Sequence, residues 1–168
     1  MKKDLVWIYN LNNSRIFRHR ISQNIIIMNE DFITYQIRGA IFETYNSLGP
    51  GLLESVYEEA LTYFLNKRDL KVERQVSVPI IIDGKRLATD LKLDILVENQ
   101  IIIELKSVVE MKEVFHLQLL TYLKLSKLHR GILVNFNTSN IGRSIWNKVN
   151  GYKSEMKFFK EATESPNN

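Results

Sequence analysis

"LKLDILVENQIIIELKS", residues 91–107, is the stretch on which the reading of this chain turns. Both halves alternate residue types at a period of two, the signature of strands, around the turn "ENQ" at 98–100. In the second half Ile101, Ile103 and Leu105 belong to one face of the strand and Glu104 and Lys106 to the other. A carboxylate and an ammonium among isoleucines cost free energy unless something pairs with them. The first half holds another acid out of place, Asp94. If Val97, Glu98 and Asn99 form a three-residue loop, with Asn99 left-handed, Leu96 faces Gln100 and Asp94 faces Ile102. Asp94 and Glu104 then become diagonal neighbours on one sheet face, about 7–8 Å apart. Lys106 joins that face two residues further on.

Working outward, "LKVERQVSVPIII" (70–82) and "KRLATDLKLDILV" (85–97) read as strands joined by the Asp83–Gly84 turn. Downstream, "EVFHLQLLTYLKLSKL" (113–128) is a helix, with Val114, Leu117, Leu120 and Leu125 at helical steps. "RGILVNF" (130–136) is a short apolar strand, and "IGRSIWNKV" (141–149) reads as a last helix. Upstream, "NEDFITYQIRGAIFETYNSL" (29–48) repeats Ile33, Ile37, Ala40, Ile41, Tyr45 and Leu48 at three- and four-residue steps. "GPG" at 49–51 ends that helix. The next, "LLESVYEEALTYFLNKR" (52–68), offers Leu53, Val56, Tyr57, Ala60, Leu61 and Phe64 as its buried face. The order α-α-β-β-β-α-β-α predicts one α/β domain, an antiparallel meander that crosses over through a helix to a fourth strand.

A chain of 168 residues supports one real core and is too short for two ordinary domains. With 45% apolar and 25% charged residues it is neither disordered nor membrane-embedded in character. No apolar run approaches the roughly 20 residues of a bilayer span. Cysteine is absent, which excludes disulfides, thiolate zinc sites and a cysteine nucleophile, and fits a cytoplasmic location. The net charge of +4 lies in residues 1–27, where five basic residues face one acid; the remaining residues balance. Bulk charge therefore gives the folded part no nucleic-acid footprint, and any such function must come from a site. The expected organisation is a basic N-terminal extension (1–27), a domain over 28–150 and a polar C-terminal tail (151–168).

Two carboxylates beside a lysine have a chemical use. Hard oxygen ligands suit Mg2+ or Mn2+, with the backbone carbonyl of Leu105 as a further donor. Such an ion polarises a phosphodiester and acidifies a bound water, while the ammonium orients that water or neutralises developing charge. Glu-x-Lys on a strand, taken alone, equally describes a surface ion pair. Asp94, on the neighbouring strand at the right parity, is what favours the chemical reading.

Asp94…Glu104-Leu105-Lys106, a D-x9-E-x-K pattern, resembles the PD-(D/E)xK nuclease superfamily, and the element order over residues 31–137 is similar to its core. "GLLESVY", Gly51 to Tyr57, resembles the GxxExxY family within it, as do "VERQVSVPI", "LLTYLKL" and "GILVNF". Leu93 stands where the superfamily pattern has proline. The resemblance implies a restriction-endonuclease-like α-β-β-β-α-β core, with a mixed sheet flanked by helices. It implies a metal-dependent nuclease in which Glu54, Asp94, Glu104 and the Leu105 carbonyl hold Mg2+ or Mn2+. Lys106 would be the base or the water-orienting group. Gln118 would join the catalytic set; with Tyr122 it matches a Q-x-x-x-Y helix, and Tyr57 and Tyr122 would meet substrate. Implied partners are nucleic acid, DNA in preference to RNA, with a protein partner or a second copy also open, and no membrane. The competing class is a non-catalytic nucleic-acid- or protein-binding module that retains the fold. Bland alternatives stand beside several residues. An acid such as Glu54 in a first turn complements the helix dipole, Tyr57 and Tyr122 suit a core, and His116, Arg38 and Lys112 suit either structure or phosphate contact.

Overall fold

In the computed structural model, residues 29–151 are described, together with the backbone of two short strands, β1 (Arg20–Ile21) and β2 (Ile25–Ile26), paired antiparallel. The expected extension and tail otherwise lie outside the described residues. Helix α1 (Glu30–Leu48) starts where the Asn29 side chain accepts the Asp31 N–H at 2.8 Å, satisfying one of the first turn's orphan donors. It ends at Gly49, whose φ of 69° is easy for glycine and whose N–H caps the Tyr45 carbonyl. Helix α2 (Glu54–Asn66) follows.

The sheet has five strands in the order β3 (Val72–Ile82), β4 (Lys85–Val97), β5 (Ile101–Lys106), β6 (Arg130–Asn135) and β7 (Ile145–Val149). β3, β4 and β5 form the expected antiparallel meander, with Asp83 and Gly84 both at positive φ in the tight turn. The chain then crosses through α3 (Glu113–Ser126) to β6, which pairs parallel with β5, Glu104 opposite Leu133 and Lys106 opposite Asn135. The sheet is thus mixed, with helices on its faces.

Two apolar layers hold it. On one side Ile33, Ile37 and Ile41 of α1 and Leu61 and Leu65 of α2 pack on Ile95, Val97, Ile101, Ile103, Ile132 and Val134. On the other, Leu119 and Leu123 of α3 pack on Leu93, Ile102 and Leu133. Gly131 lets α3 come close: a Cβ there would lie 2.8 Å from Leu119 Cδ1.

Three expectations need correcting. Residues 141–149 do not form a helix; a single 3-10 turn at Ile141–Arg143 leads into β7, antiparallel to β6. Ile145 and Trp146 pack into opposite layers, the alternation of a strand, and β7 covers what would otherwise be the open edge of β6. On α3 the buried line is Leu119 and Leu123, while Val114 and Leu117 are exposed; this helix is apolar nearly all round, so its period did not fix its face. Leu53, just before α2, and Val56 in its first turn are exposed, because the buried face of the helix runs through Tyr57, Leu61 and Leu65.

Candidate active site

The register of the β4–β5 hairpin differs by one step from the sequence expectation. Val97 pairs with Ile101, Leu96 with Ile102 and Ile95 with Ile103, so the loop is Glu98-Asn99-Gln100, with Glu98 and Asn99 both left-handed. Continuing that ladder would set Asp94 opposite Glu104 rather than diagonal to it. The ladder stops there instead. Ile95 and Val97 pack into the α1–α2 layer, whereas Leu91 and Leu93, of the same parity, pack into the α3 layer. β4 therefore changes face at Asp94. β3 does the same at the same level, with Val72 in one layer and Val76 and Val78 in the other. Between these pairs lies Gln75, at φ 50°.

Asp94 consequently does not stand out from a sheet face beside Glu104 and Lys106. It reaches the edge of β5, where its Oδ2 accepts the Leu105 N–H at 2.9 Å, taking the place of a missing strand partner. The Lys106 carbonyl accepts from Phe136 N–H on the β6 side. Carbonyls alternate sides along a strand, so that of Leu105 faces the opposite edge, toward Asp94.

Glu104 and Lys106 share the α3 side with Ile102. All three are buried, and the Lys106 Nζ donates to Glu104 Oε1 at 2.7 Å while lying 5.4 Å from the centre of the Phe115 ring on α3. The other oxygen, Glu104 Oε2, is buried with no hydrogen-bond partner. Burial, and then the charge of Asp94, pushes the Glu104 carboxyl up to about 7 against the pull of Lys106. Asp94 is also raised, by burial first, with Glu58 and Glu54 adding to it while the Leu105 N–H and Lys106 oppose. Burial works against the charged form of Lys106, but its bond to Glu104 and the nearby carboxylates outweigh this, leaving its pKa above the ordinary lysine value. The group is an ammonium, not a free base.

Glu54, the first residue of α2, closes the site from the other layer. Its Oε1 accepts the Ser107 N–H at 3.0 Å, just beyond β5, and the Ser107 hydroxyl donates to the Leu52 carbonyl at 2.6 Å. The "GLLESVY" segment thus has a structural logic. Gly51 turns at φ 96°, Glu54 grips the end of β5, and the Tyr57 hydroxyl donates to Gly49 O at 2.7 Å and receives Leu52 N–H at 3.1 Å. Tyr57 is fully buried and stacked on Phe136, ring centres 4.4 Å apart. It holds the loop and offers no surface to substrate, which corrects its assignment as a binding residue.

Gln118 and Tyr122 share a face of α3, and the Gln118 amide donates to the Tyr122 hydroxyl at 2.6 Å. Their mutual bond does not extend to the carboxylates, and Tyr122 packs into the α3 layer. His116 packs edge-on against Trp146. Arg38 and Lys112 take part in no ion pair among the described residues.

Two residues escaped the sequence reading. Asn135 at the end of β6 accepts Val108 N–H and donates to Val108 O, at 3.1 and 2.9 Å, fixing the chain just after Ser107. Glu58, one turn after Glu54, is buried, and its two oxygens accept from Arg74 Nε and Gln75 Nε2, each at 2.7 Å. An acid in "YEEAL" four residues after Glu54 was the only available signal for Glu58, and an ordinary solvated helix face explains that pattern equally well.

Among the described residues no group of three or more His, Cys, Asp or Glu side chains is gathered as a ready-made metal cluster. No helix among them is long and apolar enough to cross a membrane. In comparisons with known proteins, the family model described as the PD-(D/E)XK nuclease superfamily matches residues 31–148. No curated protein and no solved structure matches the chain.

Proposed function

Since the chain belongs to the PD-(D/E)XK nuclease superfamily and carries its restriction-endonuclease-like fold, we propose that it is a metal-dependent nuclease of the GxxExxY family, cutting DNA in preference to RNA with Mg2+ or Mn2+. One observation carries this reading. Glu104 keeps a buried oxygen without a partner, beside a second carboxylate that burial also disfavours. A buried, unpaired carboxylate oxygen is costly, and a hard cation removes that cost. The chemistry of these donors therefore suits such an ion, although their side chains are not gathered as a ready-made cluster. Asp94, Glu104, Glu54 and the Leu105 carbonyl would hold it, and when bound it would polarise the phosphodiester and acidify a water.

The chain's own residues divide the rest of the work. The Leu105 N–H fixes one Asp94 oxygen and leaves the other free. The Ser107 N–H does the same for Glu54. Lys106, kept as an ammonium, orients the attacking water and stabilises charge growing on the phosphate; general-base action does not suit it. Gln118 and Tyr122 supply a hydrogen-bonding pair for substrate on α3. Residues 28–150 form the nuclease domain, and the +4 of residues 1–27 adds phosphate affinity.

The test is a cleavage screen over single- and double-stranded DNA and RNA with Mg2+ or Mn2+, wild type beside Asp94→Ala. Metal-dependent cleavage lost in the variant supports the reading. Ion affinity that is equal in both proteins removes Asp94 from the site. The non-catalytic module is favoured by the closed ion pair of Lys106 and Glu104; nucleic-acid binding without cleavage under any metal would select it.

A further inference from the structure

Arg74 and Gln75 are neighbours in a strand, yet both donate to one carboxylate, that of Glu58 on α2. In extended chain, adjacent side chains point to opposite faces and cannot do this. They can here because Gln75 is left-handed, at φ 50°. A non-glycine residue disfavours that conformation by about tenfold relative to a glycine. Something must hold it, and the Glu58 carboxylate is buried at the spot with both oxygens used for that purpose. Gln75 falls opposite Asp94, between the paired Arg74–Ile95 and Val76–Leu93. This is the level at which β3 and β4 exchange faces, and the exchange is what brings Asp94 to the edge of β5.

We propose that Glu58 is a positioning residue: by holding Gln75 left-handed it fixes the face exchange of β3 and β4 and so aims Asp94 at β5. The role in cleavage rests on the nuclease reading; the role in placing Asp94 does not.

The experiment compares Glu58→Gln, Gln75→Ala, Gln75→Gly and the double variant Glu58→Gln/Gln75→Gly. Two readouts are taken on the full chain: hydrogen exchange of the Leu105 amide by NMR, with Ile103 as internal reference, and DNA cleavage with Mg2+ or Mn2+. Alanine and glycine at 75 both lose the amide bond and differ in the left-handed penalty alone. Gln75→Ala and Glu58→Gln should each speed Leu105 exchange about tenfold and slow cleavage at least as much. Gln75→Gly should retain most of both, and adding it to Glu58→Gln should restore what that change lost. Unchanged Leu105 exchange in Gln75→Ala overturns the proposal. So does a Glu58→Gln defect that glycine at 75 fails to restore, since Glu58 would then act through its charge on Asp94. If Glu58→Gln does not fold, the alanine–glycine comparison at 75 decides with Glu58 in place. If the exchange pattern is as expected and no protein, wild type included, cleaves any substrate, the positioning role stands and the nuclease reading falls.

Discussion

At the scale of single residues, Glu104 makes the metal-free protein sensitive to pH. Its carboxyl is held up to about 7, above the ordinary 4.5, chiefly by burial. A carboxyl raised on folding stabilises the fold below its unfolded pKa, and that contribution is lost as pH rises through the folded value. The metal-free protein should therefore weaken between about pH 4.5 and about pH 7, by on the order of 3 kcal/mol. Asp94 is raised by the same burial and acts in the same direction. Lys106 remains protonated across this window and contributes no slope. Urea melts on either side of the window should show the lower midpoint at high pH, and Glu104→Gln should flatten the difference. Saturating Mg2+ should reverse the trend, because ion and proton compete for one carboxylate. Equal midpoints in the metal-free wild type would mean that Glu104 is ionised in spite of its burial. The lysine separates from the acids in a second measurement. Asp94→Ala should lose ion binding by calorimetry and cleavage together. Lys106→Ala should keep the ion and lose about 10²–10⁴-fold in single-turnover cleavage. Wild-type cleavage in that variant would take the lysine out of the mechanism.

At the scale of elements, the turn between α1 and α2 is held at both ends by the Tyr57 hydroxyl, with the Ser107 hydroxyl adding a bond to Leu52. Tyr57→Phe keeps the stacking on Phe136 and removes both bonds to the 49–52 loop. The expected loss is about 1–3 kcal/mol in a chemical melt, with ion affinity falling too as Glu54 loses its footing. Stability within a few tenths of wild type would show that the loop holds itself. Elements of this kind were legible where local chemistry decides them. Asp83–Gly84 demands its hairpin, Gly49 and Gly51 end α1, and the alternation of residues 101–106 announces β5. The hairpin joining β4 to β5 was legible too, but neither its register nor the change of face at Asp94 that sends its carboxylate to the edge of β5. What was hidden depends on partners far along the chain. The left-handed turn at Gln75 exists because of Glu58 on another element, so nothing in "VERQV" declares it. β7 was hidden for the opposite reason: five residues are too few for a period, and "IGRS" before them reads as a helix start. On α3, apolar residues on every side left the choice of face to the sheet beneath.

At the scale of the whole molecule, the described layers are complete from Asn29 onward, with α1 packed and capped at its first residue. A protein starting at Met28 should therefore keep its thermal midpoint within about 2–4 °C, the shift of roughly 1 kcal/mol at this size. A larger drop would place residues 1–27 in the core. The same truncation should weaken DNA binding at low salt and make it less dependent on salt, since it removes the net +4. Unchanged salt dependence would assign phosphate contact to the domain itself.

The clamp of Asn135 on Val108 also sets an order in time. A nascent chain leaves the ribosome from its N-terminus, and the β3–β4 hairpin can close as soon as it emerges. Glu54, Asp94, Glu104 and Lys106 are all synthesised before α3 and β6. Their arrangement is not, because β5 has no parallel partner until β6 arrives and Val108 no clamp until Asn135 does. Between the synthesis of Lys106 and that of Asn135 the polypeptide therefore carries all four of these groups without the frame that aligns them. The proposed site is thus left unassembled until the last third of the described fold has docked.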